Sequence, residues 1–142
     1  MPEKGVGMLG LGDALKGLGN YEDALDHYTS ALHQDPTVHE MGLFKWGRLL
    51  YQLSDGEQSQ EWSQARSDFS TLVRLDPSNV KAQFYMGKIL MKSGEDSEAV
   101  LHFEQVVKYN KEPFLSGNAL FEIAKMQIRN KLLSFYDAHH NL

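Results

Sequence analysis

Apolar residues recur every three or four positions through most of the chain, which is the spacing of one face of an α-helix. In one segment the apolar stripe consists of Tyr21, Ala24, Leu25, Tyr28, Ala31 and Leu32, and in another it consists of Ala99, Val100, Phe103, Val106 and Val107. No stretch alternates polar and apolar residues convincingly. The pattern therefore predicts helices and no sheet.

Residues that favour turns mark the ends of these helices. Pro36 and Pro77 each follow an aspartate. The residue before a proline is driven out of the α region, so we expect a helix to end at each Asp-Pro pair. Gly19 and Gly94 are expected just beyond the first helix of a pair, where a left-handed backbone is favoured. Asn20 is a candidate N-cap for the helix that follows.

The helical pattern also repeats along the chain. Residues 11–36 and 86–110 align, each with a glycine, a leucine three residues later, a glycine-containing turn, an alanine and then an aromatic residue. Residues 46–53 and 65–77 carry the two halves of the same pattern. This arrangement resembles the tetratricopeptide repeat (TPR), a helix–turn–helix unit of about 34 residues.

The resemblance covers essentially the whole chain, with copies at about 5–38, 40–79 and 80–113 and a partial fourth at 117–142. The matching positions are Met8, Leu11, Gly12, Leu15, Ala24, Tyr28, Ala31 and Pro36; Leu43, Trp46, Gly47, Leu50, Ala65, Phe69, Leu72 and Pro77; Gln83, Met86, Gly87, Leu90, Ala99, Phe103, Val106 and Pro113; and Leu120, Ile123, Ala124, Ala138 and Leu142. The resemblance implies a single all-α domain over residues 1–142, a right-handed superhelical solenoid of antiparallel helix pairs.

A small residue is expected where the two helices of a pair approach most closely, with a large residue opposite. The small residues are Gly12, Gly47, Gly87 and Ala124, and the large ones are Tyr28, Phe69 and Phe103.

Two departures from the repeat stand out. The second copy has an insertion near residues 54–61, within Ser54–Trp62, which we expect to be an exposed loop because it is polar and contains glycine. The chain stops within the last predicted helix, which would leave parts of Ile123, Leu132 and Phe135 uncovered, whereas solenoids usually end in a polar capping helix. We therefore expect either a piece of a longer array or an open end that docks on a partner.

The glycines near the start of the chain raise a competing interpretation. Gly5, Gly7 and Gly10 match G-x-G-x-x-G, a spacing found in nucleotide-binding loops. Such a loop needs a strand before the first glycine, and only four residues precede Gly5. A nucleotide-dependent enzyme is therefore disfavoured. A glycine inside a helix costs roughly 0.5–1 kcal/mol relative to alanine, so we expect a weak first helix instead.

Composition and charge disfavour several classes of function. The formal charge of −5 argues against a general nucleic-acid or anionic-membrane binder. The chain has no cysteine, no signal peptide and no long apolar run, which favours an intracellular, cytoplasmic protein without membrane insertion. None of the six histidines forms an i, i+4 pair, and His139 and His140 would point about 100° apart on a helix. We expect no metal, no cofactor and no catalytic site.

The TPR resemblance points to recognition. In TPR arrays the first helices of successive repeats line a concave groove, and the second, fifth, sixth and ninth repeat positions point into it. This implies a peptide-binding groove formed by Phe44, Lys45, Arg48, Lys81, Phe84, Tyr85, Lys88, Asn118, Phe121 and Lys125, with Val6, Leu9, Gly10, Asp13, Met41 and Glu122 at the remaining positions. Aromatic and arginine anchors carry interface energy, and lysines steer acidic partners. The competing interpretation is that the lysines are ordinary solvated side chains and that Phe44 or Phe84 is half-buried between repeats.

Some TPR proteins hold chaperone C-termini in a clamp of lysines, asparagines and an arginine. The matching positions here are Leu9, Asp13, Lys45, Lys81 and Tyr85, of which only Lys81 agrees, so a receptor of that type is disfavoured. Two hypotheses remain open. The chain is either a non-enzymatic scaffold or adaptor that binds an acidic and apolar peptide in the groove, or a structural segment of a longer TPR subunit in a multiprotein assembly. In the second hypothesis its open C-terminal end contacts partners or mediates self-association.

Overall fold

The computed structural model describes residues 4–56 and 59–140, and within these ranges every regular element is helical. The helices are α1 Lys4–Gly17, α2 Tyr21–Gln34, α3 His39–Leu53, α4 Gln60–Leu75, α5 Val80–Lys92, α6 Asp96–Tyr109 and α7 Pro113–His140, with a short 3₁₀ helix at Pro36–Val38. They form two compact units, with α1–α4 in unit 1, which ends at Leu75, and α5–α7 in unit 2, which starts at Asp76. The prediction of an all-α fold is confirmed for the described residues.

The turns between helices follow the sequence signals closely. Gly19 and Gly94 adopt φ values of +81° and +78°, as predicted for residues just beyond a helix. Asn20 does occupy the N-cap position of α2, but its side chain makes no capping hydrogen bond. Asn79 is a functioning cap, since its Oδ1 accepts the backbone N–H of Ala82 at 3.1 Å.

The Asp-Pro pairs end their helices by two mechanisms. Besides the proline, the aspartate side chain itself closes the turn. Asp35 Oδ1 accepts the backbone N–H of Thr37 at 3.0 Å and the Thr37 hydroxyl at 2.6 Å. Asp76 Oδ1 does the same with Ser78, at 3.0 and 2.7 Å. These hydrogen bonds hold the pKa of both carboxyls below the usual value, so each turn is stabilised by an ionised aspartate.

The core of unit 1 is built from aromatic rings seated on glycines. Tyr28 of α2 lies over Gly12 of α1, where a Cβ would be 2.5 Å from the Tyr28 ring. Phe69 of α4 lies over Gly47 of α3, where a Cβ would be 3.3 Å from the ring. Both rings are almost completely buried. The predicted close approach of the two helices in each pair is confirmed at both positions.

Unit 2 repeats this arrangement once. Phe103 of α6 is fully buried and lies over Gly87 of α5, where a Cβ would be 2.8 Å from the ring. Val106 of α6 and Ile89 of α5 are also fully buried. Helix α7 packs against α6 and continues this core through Ala119 and Met126.

The loop formed by the insertion in the second copy is shorter than predicted. Gln60 and Glu61 already belong to α4, and Trp62 is only 3% exposed, with its ring centroid 5.6 Å from that of Tyr51. Ser59 ends the loop because its Oγ accepts the backbone N–H of Trp62 at 3.0 Å, which caps the helix. Glu57 and Gln58, which belong to the predicted loop, lie outside the described residues.

The largest difference from the sequence-based expectation is in α7. The repeat implies a helix–turn–helix unit for the partial fourth copy at residues 117–142, but α7 runs unbroken from Pro113 to His140. Ala124 is exposed rather than seated under a ring, because no further helix packs on it. Leu132 and Phe135 are 64% and 63% exposed, as predicted, whereas Ile123 is half-buried. Leu142 lies outside the described residues.

Candidate functional site

In unit 1, the predicted groove residues surround Asp13 of α1. Lys45 of α3 donates from Nζ to Asp13 Oδ2 at 2.7 Å, and the Tyr28 hydroxyl donates to Asp13 Oδ1 at 2.6 Å. Burial raises the pKa of Asp13, but the hydrogen bonds from Lys45 and Tyr28 outweigh it, so its pKa lies below the usual value. Asp13 is therefore an ionised carboxylate that already holds one lysine.

Two further cations lie near this carboxylate. Burial lowers the pKa of Lys16, and the positive charges of Arg48 and Lys45 lower it further, while Asp13 opposes them. Lys16 therefore interacts with Asp13, Lys45 and Arg48. We call Asp13, Lys16, Lys45 and Arg48 the unit 1 face. Lys45 and Arg48 occupy repeat positions that predict a place in the groove, whereas the repeat position of Lys16 gives no such signal.

In unit 2, two lysines lie over aromatic rings. Lys88 Nζ of α5 is 5.7 Å from the Phe84 ring centroid, and Lys125 Nζ of α7 is 5.0 Å from that of Phe121. At this distance an ammonium is attracted by the negative face of the ring. Lys125 is also 3.1 Å from Glu122 Oε1, an i, i+3 pair on α7. We call the predicted groove residues of α5 and α7 (Lys81, Phe84, Tyr85, Lys88, Asn118, Phe121 and Lys125) the unit 2 face.

The structure gives these residues different degrees of access. Phe121 is 61% exposed, Lys81 is exposed and 3.9 Å from Glu112 Oε1, and Phe44, Tyr85, Lys88 and Asn118 are half-buried. Phe84 is only 8% exposed because its ring packs against Phe103 at a centroid distance of 5.6 Å. Phe84 is therefore a core residue that supports Lys88 rather than a free anchor, in line with the competing sequence-based interpretation.

A polar chain inside unit 2 was not foreseen. His102 Nδ1 lies 2.7 Å from Gln83 Oε1, and Gln83 Nε2 donates to the carbonyl of Pro77 at 2.9 Å. Because the amide oxygen can only accept, His102 donates from Nδ1. Burial lowers the pKa of His102. His102 is half-buried and ties α6 to α5.

Neither face presents a metal site. Among residues 4–56 and 59–140, no three His, Cys, Asp or Glu side chains come together in a way that could hold a metal ion. In that same part of the chain, no helix is both long and apolar enough to cross a membrane.

Comparison with known proteins agrees with the repeat seen in the sequence. A family model described as "Tetratricopeptide repeat" matches residues 9–57 and 44–119. The chain resembles the first TPR of Spaghetti (RPAP3) bound to the HSP90 peptide SRMEEVD, with a TM-score of 0.72 and 22% identity over 90% of this chain and 96% of that one. It also resembles the second TPR domain of human RPAP3 in complex with the HSP70 peptide SGPTIEEVD (TM-score 0.69, 21% identity, 87% and 95% coverage). The crystal structure of MamA matches with a TM-score of 0.60 and 15% identity over 95% of this chain and 83% of that chain. Since the family model spans well over half of the sequence, this chain belongs to the tetratricopeptide repeat family.

Proposed function

We propose that this protein is a non-enzymatic interaction adaptor that binds a peptide segment with acidic and apolar residues on the unit 2 face. TPR domains are in general interaction modules rather than enzymes. The observation that carries the proposal is the placement of lysines over aromatic rings on the unit 2 face, at 5.7 Å for Lys88 and 5.0 Å for Lys125.

This arrangement suits a mixed acidic and apolar ligand. The Phe121 ring is 61% exposed, and the Lys125 side chain is half exposed. An apolar ligand side chain can therefore cover the ring while a carboxylate meets the ammonium beside it. Aromatic side chains give large contact area with little loss of conformational freedom, and charge complementarity raises the association rate.

Two of the similar structures support the acidic part of the proposal. The TPR domains of Spaghetti and human RPAP3 are bound to peptides that end in Glu-Glu-Val-Asp. We infer that this chain also takes an acidic segment, in an intracellular setting that its lack of cysteine favours.

The mode of binding differs from the five-residue clamp. Leu9, at the first clamp position, is 2% exposed and contributes to the core. Asp13, at the second, is a carboxylate that holds Lys45, the residue at the third. An incoming terminal carboxylate would be repelled by Asp13 and would compete with it for Lys45. We therefore propose recognition of acidic side chains along the peptide rather than of its free C-terminus.

Charge reversal on α5 tests the proposal. We expect Lys81→Glu/Lys88→Glu to weaken binding of fluorescein-labelled SRMEEVD about tenfold, since each exposed charge contributes up to about 1 kcal/mol. Fluorescence anisotropy measures the affinity, and an analogue with both glutamates replaced by glutamine should bind more weakly to the wild-type protein.

The chain offers a matched control for one of these changes. Lys108 of α6 lies 5.4 Å from the Tyr109 ring centroid, so Lys108→Glu removes the same kind of contact outside the proposed faces. Lys88→Glu should reduce binding and Lys108→Glu should not, with circular dichroism the same for both. Equal effects of the two, unchanged binding by the double variant, or no preference for the acidic peptide would contradict the proposal.

A further inference from the structure

A cleft of about 880 Å³ opens on unit 2, and of the unit 2 face only Lys125 lines it. Met91 and Lys92, at the C-terminal end of α5, contribute one side of it. The residues of α7 that line it are Lys125, Met126, Ile128, Arg129, Leu132, Leu133 and Tyr136. Its volume is in the range of known ligand-binding clefts.

The second half of α7 takes little part in the fold. The buried residues of α7 are Ser116, Ala119, Glu122 and Met126, and every residue from Gln127 to His140 is exposed. In that exposed half, Ile128, Leu132 and Tyr136 follow one another at i, i+4 and i+8 and are 59%, 64% and 56% exposed. A contiguous apolar surface of this kind marks an interaction site. The spacing presents one apolar helical stripe.

The charge of this segment is opposite in sign to that of the protein. Residues 122–140 carry three cations, Lys125, Arg129 and Lys131, and two carboxylates, Glu122 and Asp137, whereas the whole chain has a formal charge of −5. The charged residues that line the cleft are Lys92, Lys125 and Arg129, all of them cations. Arg129 donates to Asp96 of α6, which fixes its guanidinium beside the cleft. A guanidinium has five N–H donors, so the bond to Asp96 leaves capacity for a second carboxylate.

These features select one occupant over two others. A second copy of α7 would bring the same basic segment against itself, which like charges disfavour. A lipid surface suits a helix that offers its apolar face to a flat boundary, whereas here Met91 and Lys92 of α5 stand beside the stripe and make the site concave. A helix with apolar and acidic side chains fills the cleft and meets its cations.

We propose that the cleft between the end of α5 and the second half of α7 binds an amphipathic helix of a partner protein, with large apolar residues on one face and Asp or Glu beside them. This surface is distinct from the unit 2 face except for Lys125, which belongs to that face and also lines the cleft. The second sequence-based hypothesis has the C-terminal end of the chain contact partners. The cleft is a specific site for such a contact, and its lining defines the chemistry of the partner.

Two designed peptides test the proposal on the full chain. Each is about 18 residues long, so that it forms a helix, with leucines at i, i+4, i+7 and i+11. One carries glutamates beside the leucines and the other carries lysines. We expect the acidic peptide to bind at least about tenfold more tightly by fluorescence anisotropy.

The variant Ile128→Ser/Leu132→Ser removes two of the three apolar side chains of the stripe without touching buried residues. It should weaken binding of the acidic peptide at least about tenfold. Phe114→Ser/Leu101→Ser is the matched control, because these side chains are 83% and 60% exposed and lie outside the cleft. The control should stay within about twofold of wild type, and so should Lys81→Glu/Lys88→Glu, which separates this site from the proposed peptide-binding face.

Other outcomes overturn the proposal. Equal binding of the acidic and basic peptides, or an equal loss in the control variant, shows that the cleft does not select the helix. Dimerisation in sedimentation experiments that Ile128→Ser/Leu132→Ser abolishes assigns the stripe to a second copy. Co-sedimentation with phosphatidylcholine–phosphatidylserine vesicles that the same variant abolishes assigns it to lipid.

Discussion

Replacing Gly7 and Gly10 with alanine should stabilise unit 1. Both residues are exposed in the middle of α1, and a Cβ at either position would meet no atom within 4 Å. Alanine is favoured over glycine in a helix interior by about 0.8–1 kcal/mol, so the double variant should gain about 2 kcal/mol in the free energy of unfolding. The gain comes from the backbone alone, because neither methyl group has a neighbour to contact.

Urea denaturation followed by tryptophan fluorescence measures this gain. The two tryptophans of the chain, Trp46 and Trp62, both lie in unit 1, the unit that contains α1. With a slope of about 2 kcal/mol/M, a gain of about 2 kcal/mol raises the denaturation midpoint by about 1 M urea. The slope itself should not change, since the variant exposes the same surface on unfolding.

Gly12→Ala provides the opposite control in the same helix. Its Cβ would lie 2.5 Å from the Tyr28 ring, and overpacking of this kind costs about 1–3 kcal/mol. An unchanged or lower urea midpoint for Gly7→Ala/Gly10→Ala would contradict the prediction. Such a result would mean that α1 does not unfold together with the tryptophans, so its helical propensity does not contribute to the measured stability.

Two more outcomes follow from the structure. Burial raises the pKa of Asp68 to about 7, from 3.8, and its Oδ2 has no hydrogen-bond partner in the described structure. The contribution of Asp68 to stability is therefore complete below about pH 4 and is lost as the pH rises to about 7. At pH 8, Asp68→Asn should raise the free energy of unfolding by up to about 4 kcal/mol, measured as a higher urea midpoint, and at pH 4 it should have little effect. An equal gain at both pH values would contradict this. Amidating the C-terminus of SRMEEVD should change its affinity for the protein by less than about twofold in a titration, because Leu9 and Asp13 stand where the clamp has hydrogen-bond donors. A larger loss would show that the protein recognises the free terminal carboxylate.

The repeat register predicted the fold well because it is enforced by packing within each helix pair. At Gly12 and Gly87 a Cβ atom would lie within 3 Å of an aromatic ring, so neither position has room for a side chain. The same physics explains Gly5, which the register did not. Its N–H donates to Asp35 Oδ2 at 3.2 Å, and a Cβ there would lie 2.5 Å from that oxygen. Only Gly7 and Gly10 of the early glycines remain without a packing reason.

The sequence was less informative about α7 and about the site. Residues 113–140 contain no proline or glycine after Gly117, so their composition is compatible with one continuous helix. Only the repeat pattern implied a helix–turn–helix unit there. Ion pairs between helices also depend on side-chain directions that a repeat position does not specify. The bond between Asp13 and Lys45, the location of Lys16 and the burial of Phe84 therefore emerged only in three dimensions.

The continuity of α7 has a consequence for the energetics of recognition. A helix of about 14 residues on its own is marginal in water, because its first turn must be nucleated at a cost. Here the packed half of α7, anchored by Ala119 and Met126, supplies that nucleus for residues 127–140. The exposed half is thereby presented already ordered, so a partner that binds it loses less affinity to conformational entropy than one that must fold a flexible tail. Because no residue of that half is buried, its surface chemistry can change during evolution without loss of the fold that holds it in place.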